Sequence, residues 1–213
     1  PTRNAPMTSP SQALPDLARR ILSSPPARVL LLGFILLLMM GLNEDVMTSY
    51  AKDSVKSVQH IVALAIAGFA VYIGYAQFIE RRAVSELSLA GMGREFGLGL
   101  LIGAGLYTIC ELILIALGIY RITGLNSLSY MLPAIAMALS SGVFEELLFR
   151  GVLYRSVETW FGSWAALVVS SLVFGLTHLI NPQGTLEGAL FIAVEAGILL
   201  AAAYMLTRRL WLS

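Results

Sequence analysis

The sequence predicts an all-α membrane protein, a polytopic bundle of about six transmembrane helices. Its mean hydropathy is +0.78, only 13% of its 213 residues are charged, and 57% are hydrophobic. Several apolar runs approach the roughly 20 residues that a helix needs to cross a bilayer about 30 Å thick. Because backbone polar groups inside lipid are satisfied only in helices or closed barrels, runs of this length predict helices.

The helices can be placed in order along the chain. Residues 1–27 are rich in Pro, Ser and Arg and lack apolar periodicity, which is typical of a disordered, solvated tail. The apolar run 29–42 predicts the first membrane helix; the alternative is a signal-peptide core, but no convincing small-x-small cleavage site follows. A polar segment, 43–60, then leads to the remaining predicted helices, which are 61–79, 97–119, 131–153, 163–180 and 186–206.

The basic residues predict the orientation of these helices. With a cytoplasmic N-terminus, eleven arginines fall on the inner side and only Lys52, Lys56 and Arg121 on the outer side. Since cytoplasmic loops carry an excess of Lys and Arg, this orientation is expected. The net charge of +1 argues against a nucleic-acid partner, and the single cysteine, Cys110, supports neither a disulfide framework nor a thiolate metal cluster.

Three ionisable residues lie inside the fourth predicted helix, in the stretch SGVFEELLFRGVLYR that begins at Ser141. A charge at the centre of a membrane helix costs about 2.5–3.5 kcal/mol, so such residues need partners and often mark function. Glu146 and Arg150 are four residues apart and can pair along one helix face. Glu145 is rotated about 100° away, toward Ser141 and Phe149. We therefore expect arginine to neutralise Glu146 and to leave Glu145 free for another role.

The fifth predicted helix ends in FGLTHLINP, residues 174–182. Phe174 and His178 are four residues apart, and Asn181–Pro182 ends the helix. His60 is expected in a polar loop, so His178 is the one histidine expected within the membrane. A carboxylate and an imidazole on neighbouring helices are typical of a water-activating pair, or of two ligands of a metal that needs others. The alternatives are a structural Glu–Arg pair and a packing histidine.

Helix boundaries raise one conflict for this pair. They place Glu145 near mid-membrane and His178 near the outer end of its helix, which separates them by more than about 10 Å in depth at 1.5 Å per residue. A later start of the fourth helix would remove the conflict. Two other buried acids, Glu111 and Glu195, match no motif, and we interpret them as groups that hydrogen-bond between helices.

The string Glu145-Glu146-x-x-x-Arg150, followed about 25 residues later by Phe174-x-x-x-His178, resembles the CPBP (Abi) family of intramembrane proteases, which includes CAAX prenyl endopeptidases and bacteriocin-processing enzymes. The resemblance covers roughly residues 131–213. It implies that Glu145 acts with His178 to activate a water against a peptide carbonyl, while Glu146 and Arg150 hold the local geometry. It leaves open whether a divalent metal such as zinc takes part, which would make the enzyme a metalloprotease with Glu145 and His178 as candidate ligands.

The family's third motif, a histidine followed four residues later by Asn or a similar residue, is absent here and is expected just past Ser213. The sequence is therefore interpreted as a fragment, with N-terminal membrane helices in 28–120 and an incomplete catalytic region in 121–213, and as inactive by itself. The resemblance implies a location in a prokaryotic inner membrane. The expected partners are the lipid bilayer, which the hydropathy predicts, and a peptide or membrane-anchored protein substrate, which the resemblance implies.

Two other functions remain open from the residues alone. A proton- or ion-coupled transporter could use a Glu–Arg pair and a histidine as a relay, although many transporters have repeated halves and none are evident here. A catalytically silent membrane partner would keep only the scaffold.

Overall fold

A computed structural model describes residues 17–49 and 54–213 of the chain, and these residues form helices joined by short loops, without any strand. The predicted all-α class is confirmed. Five stretches of the described residues are long and apolar enough to cross a membrane, and they are Pro25–Leu42, Val55–Ile79, Met92–Ala116, Met131–Ile180 and Leu186–Thr207.

The fourth of these stretches, which is 50 residues long, contains two helices. Gly162 has φ 80° and ψ 172°, a backbone conformation that glycine adopts readily, and the chain turns back there. The described part of the chain therefore has six apolar helices. In chain order they are α1 (Pro25–Ala27, Arg28–Gly33 and Phe34–Ser49), α2 (Ser54–Gly74 and Tyr75–Ile79), α3 (Met92–Ala116), α4 (Leu128–Glu145, Glu146–Tyr154 and 155–161), α5 (163–177) and α6 (Leu186–Ile192, Ala193–Gly197 and Ile198–Thr207).

Four of these helices contain a π-helical segment, in which each backbone hydrogen bond spans one residue more than in an α-helix. The longest one, Glu146–Tyr154, spans nine residues in the middle of α4. It carries Glu146 and Arg150, and Glu145 immediately precedes it. Such segments are frequent at functional sites.

Several helix boundaries differ from the prediction, and two of the differences are described here. α2 begins at Ser54, so His60 lies on this helix and not in a loop. α4 continues to the break at Gly162, eight residues beyond its predicted end at 153. The physical reason is the same in both places. The end of an apolar run marks the edge of the lipid, whereas the backbone hydrogen bonds of the helix continue into the polar region.

The predicted disordered tail also differs from the structure. Residues 17–22 are helical, and the Tyr75 hydroxyl donates a hydrogen bond to the Leu22 carbonyl oxygen. This part of the tail is therefore held against α2. Residues 1–16 lie outside the described part of the chain.

The buried core lies between α1, α2, α4, α5 and α6. Its most enclosed members are mainly large apolar side chains, namely Leu32, Leu36, Tyr72, Phe144, Leu147, Val152, Tyr154 and Tyr204. α3 contributes no buried residue. It approaches the rest near Gly99, where a Cβ atom would lie 2.7 Å from the Leu212 carbonyl oxygen. α3 therefore lies at the edge of the bundle.

α5 and α6 cross at short distance because small residues face each other. A Cβ atom on Gly175 would lie 2.2 Å from the Ala189 carbonyl oxygen, and one on Gly197 would lie 2.9 Å from the Ser171 carbonyl oxygen. No larger residue fits at either position. The crossing brings the backbone of α6 close to the motif on α4.

At one end of the bundle, side chains from α1, α2, α4 and the loop after α2 form a buried ion-pair network. Its members are Arg28, Tyr72, Glu80, Arg82, Glu86 and Arg155. Glu80 lies 2.5 Å from the Arg28 Nε and 2.6 Å from the Arg82 Nε. Glu86 lies 2.8 Å from the Arg82 Nη2. The three arginines thus lie at the same end of the bundle. The distribution of basic residues in the sequence also predicts that they share one side of the membrane.

Glu86 shows how the network compensates for burial. Only 3% of the surface of Glu86 is exposed, and burial by itself would raise the pKa of its carboxyl group. Hydrogen bonds from Arg82 and Tyr72 outweigh burial, so the pKa of Glu86 lies below its ordinary value. Burial would likewise lower the pKa of Arg82, but its hydrogen bond to Glu86 raises that pKa instead. Both groups are therefore ionised at neutral pH.

Candidate active site

The glutamate–arginine motif lies in the middle of α4 and directs its two glutamates to different sides. Successive residues of a helix are separated by about 100°, so Glu145 and Glu146 cannot share a face. Glu146 is buried, and its Oε1 accepts a hydrogen bond of 2.8 Å from Nη1 of Arg150, one turn further along. The predicted pairing of Glu146 with Arg150 is therefore present in the structure.

Arg150 is the most enclosed residue of the motif, with 1% of its surface exposed. Its Nη2 donates to the Gly197 carbonyl oxygen at 3.3 Å. Its guanidinium group also lies over the ring of Phe174, 5.0 Å from the centroid, where the electron-rich face of the ring attracts a cation. Since Gly197 belongs to α6 and Phe174 to α5, Arg150 joins three helices beside Glu145.

Glu145 differs from its neighbours because its carboxylate is uncommitted. The side chain is partly buried, and no hydrogen bond or ion pair reaches it from the residues that the structure describes. It lines two cavities, one of them together with Ser141 and Phe149, which is the direction that the helical spacing predicts. Glu145 is thus the carboxylate of the motif that remains available to another molecule.

The two cavities differ in chemistry. The apolar cavity, of about 400 Å³, lies between α3, α4 and the segment after α6. Its lining is mainly apolar and includes Phe69, Phe96, Leu139, Leu210 and Trp211. The histidine cavity, of about 540 Å³, lies between α1, α4 and the end of α5. Its polar lining residues are Ser141, Glu145, Thr177, His178 and Asn181. Glu145 therefore stands at the boundary between an apolar and a polar space.

His178 opens a short 3₁₀ turn, His178–Ile180, at the end of α5. Its Nδ1 lies 2.9 Å from the Phe174 carbonyl oxygen. Because a carbonyl oxygen can only accept, we assign the proton to Nδ1, which leaves Nε2 as the acceptor of the neutral ring. The Phe174 ring packs 5.1 Å from the imidazole and 5.0 Å from the Phe149 ring. These contacts hold the imidazole at the wall of the histidine cavity.

Glu145 and His178 lie at the same depth because of the break at Gly162. Glu145 is 17 residues before the break and His178 is 16 residues after it. At 1.5 Å per residue, both lie about 25 Å from the break along antiparallel helices. The predicted offset in depth is therefore wrong. The error came from the predicted end of α4, because the helix continues past 153 to the break at Gly162. Its start is not later than predicted.

Other polar residues divide into those that reach the site and those that do not. Glu195 lies on the exposed surface of α6, and Glu111 lies on α3; neither lines the apolar cavity or the histidine cavity. Asn181 lines the histidine cavity and carries the only amide among its described lining residues. The sequence signal for Asn181 is its place before Pro182, which indicates the helix end but no chemical role.

The donor set can be compared with that of a metal centre. A catalytic zinc is usually held by three protein ligands, with a further position open to water. Within residues 17–49 and 54–213, no three His, Cys, Asp or Glu side chains come close enough together to hold a metal ion. Glu145 and His178 are two donors at one cavity, so this set does not fit a protein-held zinc.

Comparison with known protein families adds a separate finding. Residues 127–213 match the family model described as Type II CAAX prenyl endopeptidase Rce1-like. The matched segment includes both motifs, and the predicted family resemblance is confirmed there. No curated protein and no solved structure matches the chain. The chain is an integral membrane protein, and its C-terminal part resembles CAAX-type proteases in general.

Proposed function

We propose that the protein is an intramembrane endopeptidase that hydrolyses a peptide bond with a water activated by Glu145 and His178. One observation carries this proposal. An uncommitted carboxylate and an imidazole with a free acceptor nitrogen line the same cavity at the same depth. The family match over residues 127–213 supports a protease of this type.

In the proposed reaction, a water lies in the histidine cavity between the two side chains. Nε2 of His178 accepts a hydrogen bond from this water, and the Glu145 carboxylate accepts its other proton as the oxygen attacks the peptide carbonyl carbon. When the carbon–nitrogen bond breaks, the protonated Glu145 returns that proton to the leaving amine. Every proton thus moves between water, Glu145 and the substrate.

Glu146 and Arg150 have a supporting role in this proposal. Their pair removes one charge from the neighbourhood of Glu145, and the bond of Arg150 to the Gly197 carbonyl oxygen ties α4 to α6. A catalytic base must be held in place by its surroundings, because small displacements of a reacting group reduce the rate strongly. The buried pair supplies this support.

The substrate class follows from the position of Glu145 between the two cavities. A peptide can occupy the polar space, while an apolar group attached to it can occupy the apolar cavity. The matched family is described as a CAAX prenyl endopeptidase, and a prenyl group has this apolar character. We propose a membrane-anchored peptide or protein with an apolar group close to the scissile bond.

The test is cleavage of fluorescent peptides by the full-length protein in proteoliposomes. A prenylated CAAX peptide is compared with the same peptide lacking the prenyl group, for the natural protein and for Glu145→Gln. We expect Glu145→Gln to lower kcat by about 10²- to 10⁴-fold, while its abundance in the membrane stays unchanged because a neutral amide is easily buried. Glu187→Gln is the matched control, since Glu187 is exposed and lines neither cavity. Turnover by the Glu145→Gln variant at the wild-type rate would show that Glu145 is not the catalytic base.

The proposed reaction includes no metal step, because the two donors at the cavity are fewer than a catalytic zinc requires. We therefore expect the purified protein to keep its turnover after dialysis against 1,10-phenanthroline. A loss of activity that zinc restores would show that further ligands join Glu145 and His178.

A further inference from the structure

Tyr72 is the central member of the ion-pair network. Its side chain is completely buried in α2. Its hydroxyl oxygen lies 2.6 Å from Glu86 Oε1, and it accepts hydrogen bonds of 3.3 Å from Arg82 Nη2 and Arg155 Nη1. A hydroxyl with donors and an acceptor on three sides is fixed in position.

The same hydroxyl reaches the backbone of α4. Its single proton is shared between Glu86 Oε1, at 2.6 Å, and the Gly151 carbonyl oxygen, at 3.2 Å. The same carbonyl oxygen accepts a hydrogen bond of 3.3 Å from Arg155 Nη1. The ring packs directly on Gly151, where a Cβ atom would lie 2.7 Å from the ring carbon Cε2. The network therefore holds a particular peptide group of α4 and does not merely neutralise charge.

That peptide group adjoins the candidate active site. Gly151 follows Arg150 directly, and both belong to the π-helical segment Glu146–Tyr154. π-helical hydrogen bonding is rarer than α-helical bonding, so a segment of this length depends on contacts from outside the helix. Arg150 supplies one such contact by bonding to Gly197, and Tyr72 supplies another on the side facing α2.

We propose that the Tyr72 hydroxyl is a positioning group for the candidate active site: by holding Gly151, it fixes the π-helical segment of α4 and with it the placement of Glu145 relative to His178. This inference rests on the proposed function for its effect on rate. Its structural part, the placement of residue 145 relative to residue 178, stands without that function.

The variant Tyr72→Phe removes the hydroxyl and keeps the ring that packs on Gly151. Glu86 keeps its bonds to Arg82, so no carboxylate is left without a partner. The matched control is Tyr154→Phe. Tyr154 is equally buried and lies in the same π-helical segment, but its hydroxyl donates to the Ser163 carbonyl oxygen, at the Gly162 turn. Both variants lose one buried hydroxyl, and only one of them loses a contact with Gly151.

Kinetics of prenylated-peptide cleavage by the full-length protein are measured first. We expect Tyr72→Phe to lower kcat by about 10- to 100-fold with KM changed less than about 2-fold, because a displaced base affects the reacting step more than substrate binding. Tyr154→Phe should keep kcat. Both variants should have similar thermal stability in detergent.

A second measurement does not depend on activity. Glu145→Cys and His178→Cys are combined in a Cys110→Ser background, and the reaction of the two introduced thiols with a short thiol-to-thiol crosslinker is followed in membranes. Cys110 is the one cysteine of the chain and is exposed, so its removal leaves the introduced pair as the sole target. We expect slower crosslinking with Tyr72→Phe than with Tyr154→Phe.

The outcomes separate the two proposals. Natural turnover by Glu145→Gln would reject the proposed function, while the crosslinking rates would still decide the role of Tyr72. If Glu145→Gln is inactive but Tyr72→Phe keeps both the natural kcat and the natural crosslinking rate, the positioning role is overturned. Equal losses in Tyr72→Phe and Tyr154→Phe would overturn it as well, because they would indicate a general effect of lost buried hydroxyls.

Discussion

The candidate active site and the ion-pair network lie about three helical turns apart on α4, yet they use buried charge in opposite ways. In the network, Glu80 and Glu86 each lie within 3.7 Å of at least two guanidinium groups. At the candidate site, no described side chain bonds to Glu145. Both regions share α4, and they differ in the partners that surround each carboxylate; Glu86 is also more deeply buried than Glu145.

The comparison indicates how a membrane protein separates stability from chemistry. A buried charge with several partners is held in one protonation state and one position, which suits a structural role. A buried carboxylate without a partner costs free energy and can exchange a proton, which suits a catalytic role. Glu146 is intermediate, since its Oε1 bonds to Arg150 while its Oε2 has no hydrogen-bond partner among the described residues.

The largest expected difference between the two regions is in activity. We expect His178→Phe to lower kcat by about 10²- to 10⁴-fold, because a phenyl ring has no acceptor for the hydrogen bond of the attacking water. His60→Phe is a closely matched control, since Nδ1 of His60 also lies 2.9 Å from the carbonyl oxygen four residues earlier. Equal turnover by the two variants in the peptide-cleavage assay would mean that His178 is a packing residue.

The next effect concerns the pair between the two regions. We expect Glu146→Gln and Arg150→Met each to destabilise the protein by about 3–5 kcal/mol, because each leaves a buried charge unpaired. The double variant should be more stable than the sum of these losses predicts. Thermal unfolding in detergent, followed for all four proteins, measures the coupling. Strictly additive losses would contradict the pairing.

Within the network, we expect Glu86→Gln to lower the free energy of unfolding by about 1.5–3 kcal/mol at pH 7, which is typical for a hydrogen bond to a charged group. Its turnover per folded molecule should fall far less than that of Glu145→Gln. If Glu86→Gln abolished cleavage in a fully folded protein, the division between stability and chemistry would be wrong.

The pH dependence of Glu86 sharpens the same test. Because the pKa of Glu86 is lowered in the folded protein, its carboxylate stabilises the fold at and above the pKa of the unfolded chain, near 4.5. That contribution disappears as the pH falls through the lower folded-state pKa. The stability difference between the natural protein and Glu86→Gln, measured from pH 7 down to pH 3, should therefore shrink below about pH 4.5. A constant difference would mean that Glu86 keeps its ordinary pKa.

The smallest effect comes from the backbone contact that joins the two regions. We expect Gly151→Ala to destabilise the protein by about 1–3 kcal/mol through overpacking against Tyr72. Gly142→Ala, on the same helix, has nothing within 4 Å of the added Cβ atom and should be neutral or stabilising by up to about 1 kcal/mol. Similar unfolding temperatures for the two variants would show that the Tyr72 ring can move away from the added Cβ atom at little cost in stability.

Much of this protein follows from residue spacing alone. The apolar runs predict six helices, and the four-residue spacing of Glu146 and Arg150 predicts their ion pair. Helical rotation also predicts that Glu145 faces the side of Ser141 and Phe149. All three predictions concern geometry within one helix, which the backbone repeat determines regardless of what surrounds it.

Only the tertiary structure decided how residues on different helices meet. The sequence predicts a new helix from 163, but only the structure shows that α4 continues to the break at Gly162, which brings Glu145 and His178 to one depth. The network joins Arg28, Tyr72 and Glu86, which are distant in sequence and match no motif. Long-range pairing depends on which helices pack together, and that depends on the fit of many small contacts, such as those at Gly175 and Gly197, rather than on any single periodic pattern.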